Sequence, residues 1–314
     1  MRKILIDTDP GIDDAVAIML AIQSGKLDVK AITTVSGNLT ADRCSANARK
    51  VLDLIDAPHI PVARGTQKPL ARPYPKDPFS HGDDGLANLG LPASRRPEDP
   101  RFAPNLIVET VNAHAGDITL VALGPLTNLA LALLQDPELP RKVSSVVAIG
   151  GAYGFNSAGS TRATGDNPVS EWNIYVDPEA AKLVFEAGFA LTAIGLDVAT
   201  HENIELRPAQ RQALTRSTRK SAWFLAGSVS FVEQRGFRSY CALIDALAVA
   251  SLLDPAILRT ERIRVGIETR GELTTGQTVV DRREHFQWTH LPLIEAAAGV
   301  DGERFLQCLM SGIT

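Results

Sequence analysis

At 314 residues the chain can bury a sizeable core without staples, as one large α/β unit or two ordinary domains. Its 45% hydrophobic and 22% charged residues are ordinary for a soluble globular protein. A formal charge of −4 gives no reason to expect a polyanionic partner, and there is no basic run of the kind that binds nucleic acid. Cys44, Cys241 and Cys308 are too few and too scattered for a disulfide framework or a zinc site. The opening MRKILIDTDPG reaches acidic residues after three apolar ones, far short of a signal-peptide core or a membrane span, so the expected location is the cytoplasm.

Lys3 to Ile6 is a short apolar run that stops at Asp7 and reads as a buried strand. Residues 13–23, DDAVAIMLAIQ, are mostly helix formers, with Gly25 as a stop. A strand at 29–35 follows. The unit then recurs: helix 41–56, strand 60–63, helix 104–114, strand 118–123, helix 125–135, strand 144–149, helix 177–187 and strand 190–195. Strands alternating with helices, apolar without alternation, predict a mainly parallel, doubly wound α/β sheet covered on both faces. Residues 66–100 and 150–172 break this rhythm as long loops, which inside a compact domain are usually functional or disordered. From 202 to 253 the chain is expected to be helical, 262–280 to form a strand pair around Gly271–Gly276, and 301–312 to form a last helix. No repeat or linker divides the chain, so residues 1–314 are read as one domain.

Asp7, Asp9, Asp13 and Asp14 place four carboxylates in eight residues, from the end of the first strand into the first helix. Capping and the helix dipole account for one or two acids there. Four crowded carboxylates raise each other's pKa unless a cation compensates them, and ligand sites in open α/β sheets lie at the carboxyl ends of the strands. All-oxygen ligation points to a hard cation, calcium or magnesium.

The run DTDPGIDDAVAI resembles the N-terminal signature of the inosine-uridine preferring nucleoside hydrolase family. The resemblance continues in order through Gly37-Asn38, His81-Gly82, Asp84-Gly85, LVALGPLTNLALAL at 120–133 and Gly150-Gly151-Ala152. It then runs through EWNIYVDPEAA at 171–181, IDALAVA at 244–250 and GELTTGQTVVDRR at 271–283, and so covers essentially the whole chain. It implies hydrolysis of the N-glycosidic bond of ribonucleosides by water held on Ca2+, in a homodimer or homotetramer. By similarity Asp9, Asp14, Asp245 and the carbonyl of Leu123 would hold the ion, and Asp9 would also be the general base. Asp13 and Asn38 would bind the 2′- and 3′-hydroxyls, and Glu171 and Asn173 the 5′ side. His81 resembles a family histidine near the base and is grouped with Asp9 as catalytic.

Two departures stand out. Many family members carry His before the late aspartate, as proton donor to the leaving base, where this chain has Ile244. His81, Tyr240, Arg235, Arg238 and Trp223 are the substitutes nearby in sequence. The family's Gly-Asn pair before Glu-x-Asn reads Gly165-Asp166-Asn167-Pro168 here. Two other functions compete: an inert member that binds nucleoside or ribose, and a haloacid-dehalogenase-like phosphatase with Asp83-Asp84 as its late acidic pair.

Overall fold

The computed structural model describes residues 1–75, 80–157 and 161–314; positions 76–79 and 158–160, within the two expected long loops, lie outside the described residues. The expected first strand is β1 (Arg2–Thr8). It lies between β2 (Leu27–Thr34) and β4 (Ile118–Ala122). Outside β2 is β3 (Val62–Arg64), and beyond β4 come β5 (Ser145–Ile149) and β6 (Leu191–Ile194). All of these neighbours pair in parallel. Ile4 and Ile6 enter one core layer and Leu5 the other, all fully buried, which is why the strand shows no polar alternation.

Beyond β6 the sequence left two strands unread. One is β10 (Ile294–Val300), parallel to β6, and the other β7 (Leu258–Ile263), which closes the edge antiparallel to β10. The β10 sequence IEAAAGV is poor in the branched residues that mark strands; its place in the sheet is set by its neighbours, not by local propensity. The β7 sequence LRTERI carries charges outward, as suits an edge that must not recruit another strand. The expected pair around Gly271–Gly276 is present as β8 (Val265–Ile267) and β9 (Thr278–Val280), antiparallel, though residues 262–263 belong to β7. Helix limits fall within one or two residues of expectation, for example Ala41–Leu54, Thr127–Gln135 and Gly302–Ile313.

The parallel strand order 3-2-1-4-5-6 reverses direction between β1 and β4. Loops leaving those two strands diverge to opposite sides and leave a crevice at their carboxyl ends, where ligands of open α/β sheets bind. Helix Ile12–Gln23 starts at this crevice and is buried from Ile12 to Ala21 against helices Ala246–Leu253 and Gly302–Ile313. Enclosed on all sides, it has no polar stripe to show. No helix among the described residues is long and apolar enough to cross a membrane.

Candidate active site

Asp9 is the first residue beyond β1. Pro10 and Gly11 turn the chain into helix Ile12–Gln23, whose first turn carries Asp13 and Asp14 where the helix dipole favours anions. Asp14 is the hub. Its Oδ2 accepts from the Gly11 amide at 3.0 Å and from Asn38 Nδ2 at 3.1 Å. Its Oδ1 accepts from the Asp9 amide at 3.2 Å and from the Thr8 hydroxyl. Asn38, in the turn after β2, also gives its amide to Asp9 Oδ2 at 2.6 Å. Backbone closes on Asp9 from two sides. A Cβ at Gly37 would stand 2.0 Å from Asp9 Oδ2, and one at Gly124 would stand 2.4 Å from Asp9 Oδ1. Only glycine fits such an approach.

A second helix brings the late carboxylate. Asp245 precedes helix Ala246–Leu253 but makes no capping hydrogen bond, so capping does not account for its side chain. One oxygen each of Asp13, Asp14 and Asp245 lie within 4.8 Å of one another. Asp9 borders this trio. Asp9 Oδ1 and Asp13 Oδ1 are buried without a hydrogen-bond partner. Burial, then the neighbouring carboxylates, lifts Asp9, Asp13 and Asp245 well above the ordinary range. Buried hard oxygens in mutual repulsion, two of them orphaned, could hold a hard divalent cation.

Across the crevice, Leu123 follows β4, and its carbonyl accepts from Asn173 Nδ2 at 2.6 Å. The same amide group reaches the Ile149 carbonyl at 3.2 Å, tying the ends of β4 and β5 together. Glu171 caps helix Trp172–Val176, accepting from the amides of Asn173 and Ile174, and its Oε2 also takes the Gly151 amide at 3.0 Å. Burial nevertheless raises its carboxyl to about 7. Asp13, Asn38, His81, Leu123, Glu171, Asn173 and Asp245 all line one cavity of about 360 Å³. Asp9 and Asp14 lie behind that wall. His81 Nδ1 accepts the Ile12 amide at 3.0 Å, which puts the neutral ring's proton on Nε2, and stands 3.8 Å from Asp13 Oδ1.

Asp7, the first acid of the cluster, is not part of this group. Its Oδ1 accepts from Thr33 Oγ1 at 2.7 Å and from Asn128 Nδ2 at 2.8 Å, bracing β1 against β2 and the helix after β4. Burial pushes its carboxyl up to about 7 despite these two hydrogen bonds. The raised groups bind protons more tightly folded than unfolded. They therefore stabilise the metal-free protein below about pH 4 and lose that contribution as pH rises through about 7. Melting of chelator-treated protein is expected at lower temperature at pH 8 than at pH 5, with excess calcium flattening the difference. A metal-free melting temperature that climbed over this interval would contradict the assignment.

The cavity is also lined by Ile244, singled out in the sequence, and by Val232, Phe237, Cys241, Thr164 and Trp172, which were not; Asp166 lines it as well. Of the sequence's substitutes for the missing histidine, only His81 lines the cavity. Tyr240 faces the Arg162 guanidinium, Arg235 lies over Phe231, Arg238 pairs with Glu205 at 2.6 Å, and Trp223 is half exposed. Asp84 is spent on its own turn, accepting the Leu86 and Asn88 amides at 2.7 and 2.9 Å, so Asp83-Asp84 supplies no late acidic pair to the crevice.

An open, mainly parallel sheet with a carboxylate-lined cavity at its switch point defines a doubly wound α/β protein with a small-molecule site. More particularly, residues 4–307 match the family model of the inosine-uridine preferring nucleoside hydrolases, and the chain belongs to that family. It is 38% identical over 286 residues to the inosine-uridine preferring nucleoside hydrolase of Leishmania major, spanning 90% of this chain and 88% of that protein. It is 37% identical to the pyrimidine-specific ribonucleoside hydrolase RihA of Citrobacter koseri, spanning 98% and 96%. Among solved structures it is similar to a plant nucleoside hydrolase, with a TM-score of 0.89, 32% identity, and coverage of 100% and 99%.

Proposed function

We propose that this chain hydrolyses the N-glycosidic bond of ribonucleosides to free base and ribose, using a calcium ion held by Asp9, Asp14, Asp245 and the Leu123 carbonyl. The carrying observation is the buried trio of Asp13, Asp14 and Asp245, with the orphaned oxygens of Asp9 and Asp13, at the switch point of a nucleoside hydrolase fold. When bound, the ion supplies positive charge that acidifies water and anchors the sugar diol. Asp9 acts as general base: its Oδ1, without a partner, takes the proton of the attacking water. Asp13 and Asn38 receive the 2′- and 3′-hydroxyls, and Glu171 and Asn173 the 5′ end. As the bond breaks, positive charge grows on the ribose, and the fixed carboxylates stabilise it without reorganising. Active copies assemble as a homodimer or homotetramer in the cytoplasm.

The base lies against Val232, Phe237, Cys241 and Ile244, an apolar wall without a strong acid. His81, which carries its ring proton on Nε2, is the catalytic group on the base side. Rates for inosine, adenosine, guanosine, uridine and cytidine, with and without chelator, test the reading. Base release that stops on chelation and returns with calcium is the expected result. Tight calcium-dependent binding with no turnover would mark an inert binder, and phosphate release from an aryl phosphate without nucleoside cleavage a phosphatase. In the same panel Ile244→His is expected to shift purine rates relative to pyrimidine rates; an unmoved ratio would show that position 244 plays no part in leaving-group activation.

A further inference from the structure

Between Thr164 and Ser170 the chain folds back on itself over helix Trp172–Val176. The amides of Thr164 and Gly165 donate to the Ser170 carbonyl at 3.1 and 3.0 Å, and the Trp172 amide donates to Thr164 Oγ1 at 2.8 Å. Asn167 Nδ2 pins the loop to the Thr275 carbonyl at 2.8 Å. A Cβ on Gly165 would meet Ser170 Oγ at 2.1 Å, so the fold-back is tight. These contacts hold Asp166 above the helix that Glu171 caps, its Oδ2 accepting from Tyr175 Oη at 3.4 Å. Asp166 and Glu171 both line the cavity.

No lysine or arginine is among the described residues lining that cavity. Arg72 and Arg162, on loops beside it, are engaged elsewhere. Arg72 is paired with Glu179 at 2.5 Å, and Arg162 donates to the Thr200 carbonyl while facing the Tyr240 ring. Among the described residues, the Glu171 end of the cavity is therefore lined by carboxylates with no lysine or arginine, and Asp166 stands at its solvent-exposed rim.

We infer that Asp166 is a specificity-determining residue that reads the charge of the 5′ substituent, admitting a hydroxyl or an amine and rejecting a phosphate. This rests on the ribonucleoside reading, which places the 5′ end at Glu171 and Asn173. A 5′-phosphate would bring up to two negative charges toward the Asp166 carboxylate, with no lysine or arginine among the described lining residues to pair with. The repulsion acts at partly solvated range and weakens with salt. A 5′-ammonium reverses the sign while leaving the sugar unchanged.

The test compares wild type, Asp166→Asn and Asp166→Lys. Its measurements are kcat/KM for uridine and inosine, and inhibition by their 5′-monophosphates and by 5′-amino-5′-deoxyuridine, at low and high salt. Calorimetry with the same compounds reads binding independently of turnover. Asp166→Asn keeps the shape and the Tyr175 contact but removes the charge. Selectivity for nucleoside over 5′-monophosphate is expected to drop at least about tenfold in Asp166→Asn and further in Asp166→Lys, and high salt should narrow the wild-type gap. The advantage of the 5′-amine should disappear in both variants. Equal selectivity in all three proteins would overturn the inference and leave size as the cause of exclusion. Loss of both turnover and binding of nucleosides in the wild type would instead overturn the functional reading, and this one with it.

Discussion

Replacing Asp9 with alanine is expected to lower kcat/KM for ribonucleosides by at least about 10³-fold, the scale of losing a general base that also helps hold the metal. The fold should survive. Asp9 lies just past the end of β1, and its side chain accepts only the Asn38 amide among the hydrogen bonds described. Removing one carboxylate from a crowded buried group also relieves repulsion in the metal-free protein. Asp9→Asn separates charge from shape, because it keeps the volume between Gly37 and Gly124 while losing the basic oxygen. Steady-state kinetics at saturating calcium with circular dichroism on both variants is the check. Near-normal turnover by Asp9→Asn would remove Asp9 from the base role.

The second large effect is on metal affinity. Asp14→Ala is expected to weaken calcium binding at least about 100-fold, through loss of a ligand and collapse of the frame around it. Asp14 orders the nest through the Thr8 hydroxyl, the Asp9 and Gly11 amides and Asn38 Nδ2, and its removal leaves those donors unpaired in a buried site. Asp14→Asn holds the same volume with one acceptor fewer, so its affinity should fall between the two. Calcium titration calorimetry on stripped protein measures this directly, and melting curves report whether each variant is folded. An unchanged dissociation constant in folded Asp14→Ala would mean that the ion sits elsewhere.

Much of the candidate site was legible because its chemistry is local in sequence. Asp9, Asp13 and Asp14 lie within six residues, and a strand end followed by a helix start brings such neighbours into one crevice whatever the rest of the chain does. Asp7 sat in the same run, yet its side chain serves Thr33 and Asn128, partners 26 and 121 residues away that no local pattern indicates. Asp245 could be singled out only through resemblance, since an acid before an apolar helix reads equally well as a cap, a bond that is absent here. Part of the apolar cavity lining was missed for a related reason. Val232, Phe237 and Cys241 lie on a helix, a connection and a short 3-10 turn, and which of their neighbours face the cavity depends on tertiary packing. In the fold, the branched apolar strands β1, β2, β4 and β5 were readable from composition, whereas alanine-rich β10 owes its place to the sheet it joins.

The most direct measurement of the metal nest is diffraction from crystals grown with excess calcium and a slowly cleaved ribonucleoside analogue. A single anomalous peak is expected at the carboxyl ends of β1 and β4, with oxygens of Asp9, Asp14 and Asp245 and the Leu123 carbonyl at about 2.3–2.6 Å and the sugar diol completing the shell. Crystals with the analogue bound but the carboxylates turned away from one another, and no ion between them, would contradict this arrangement.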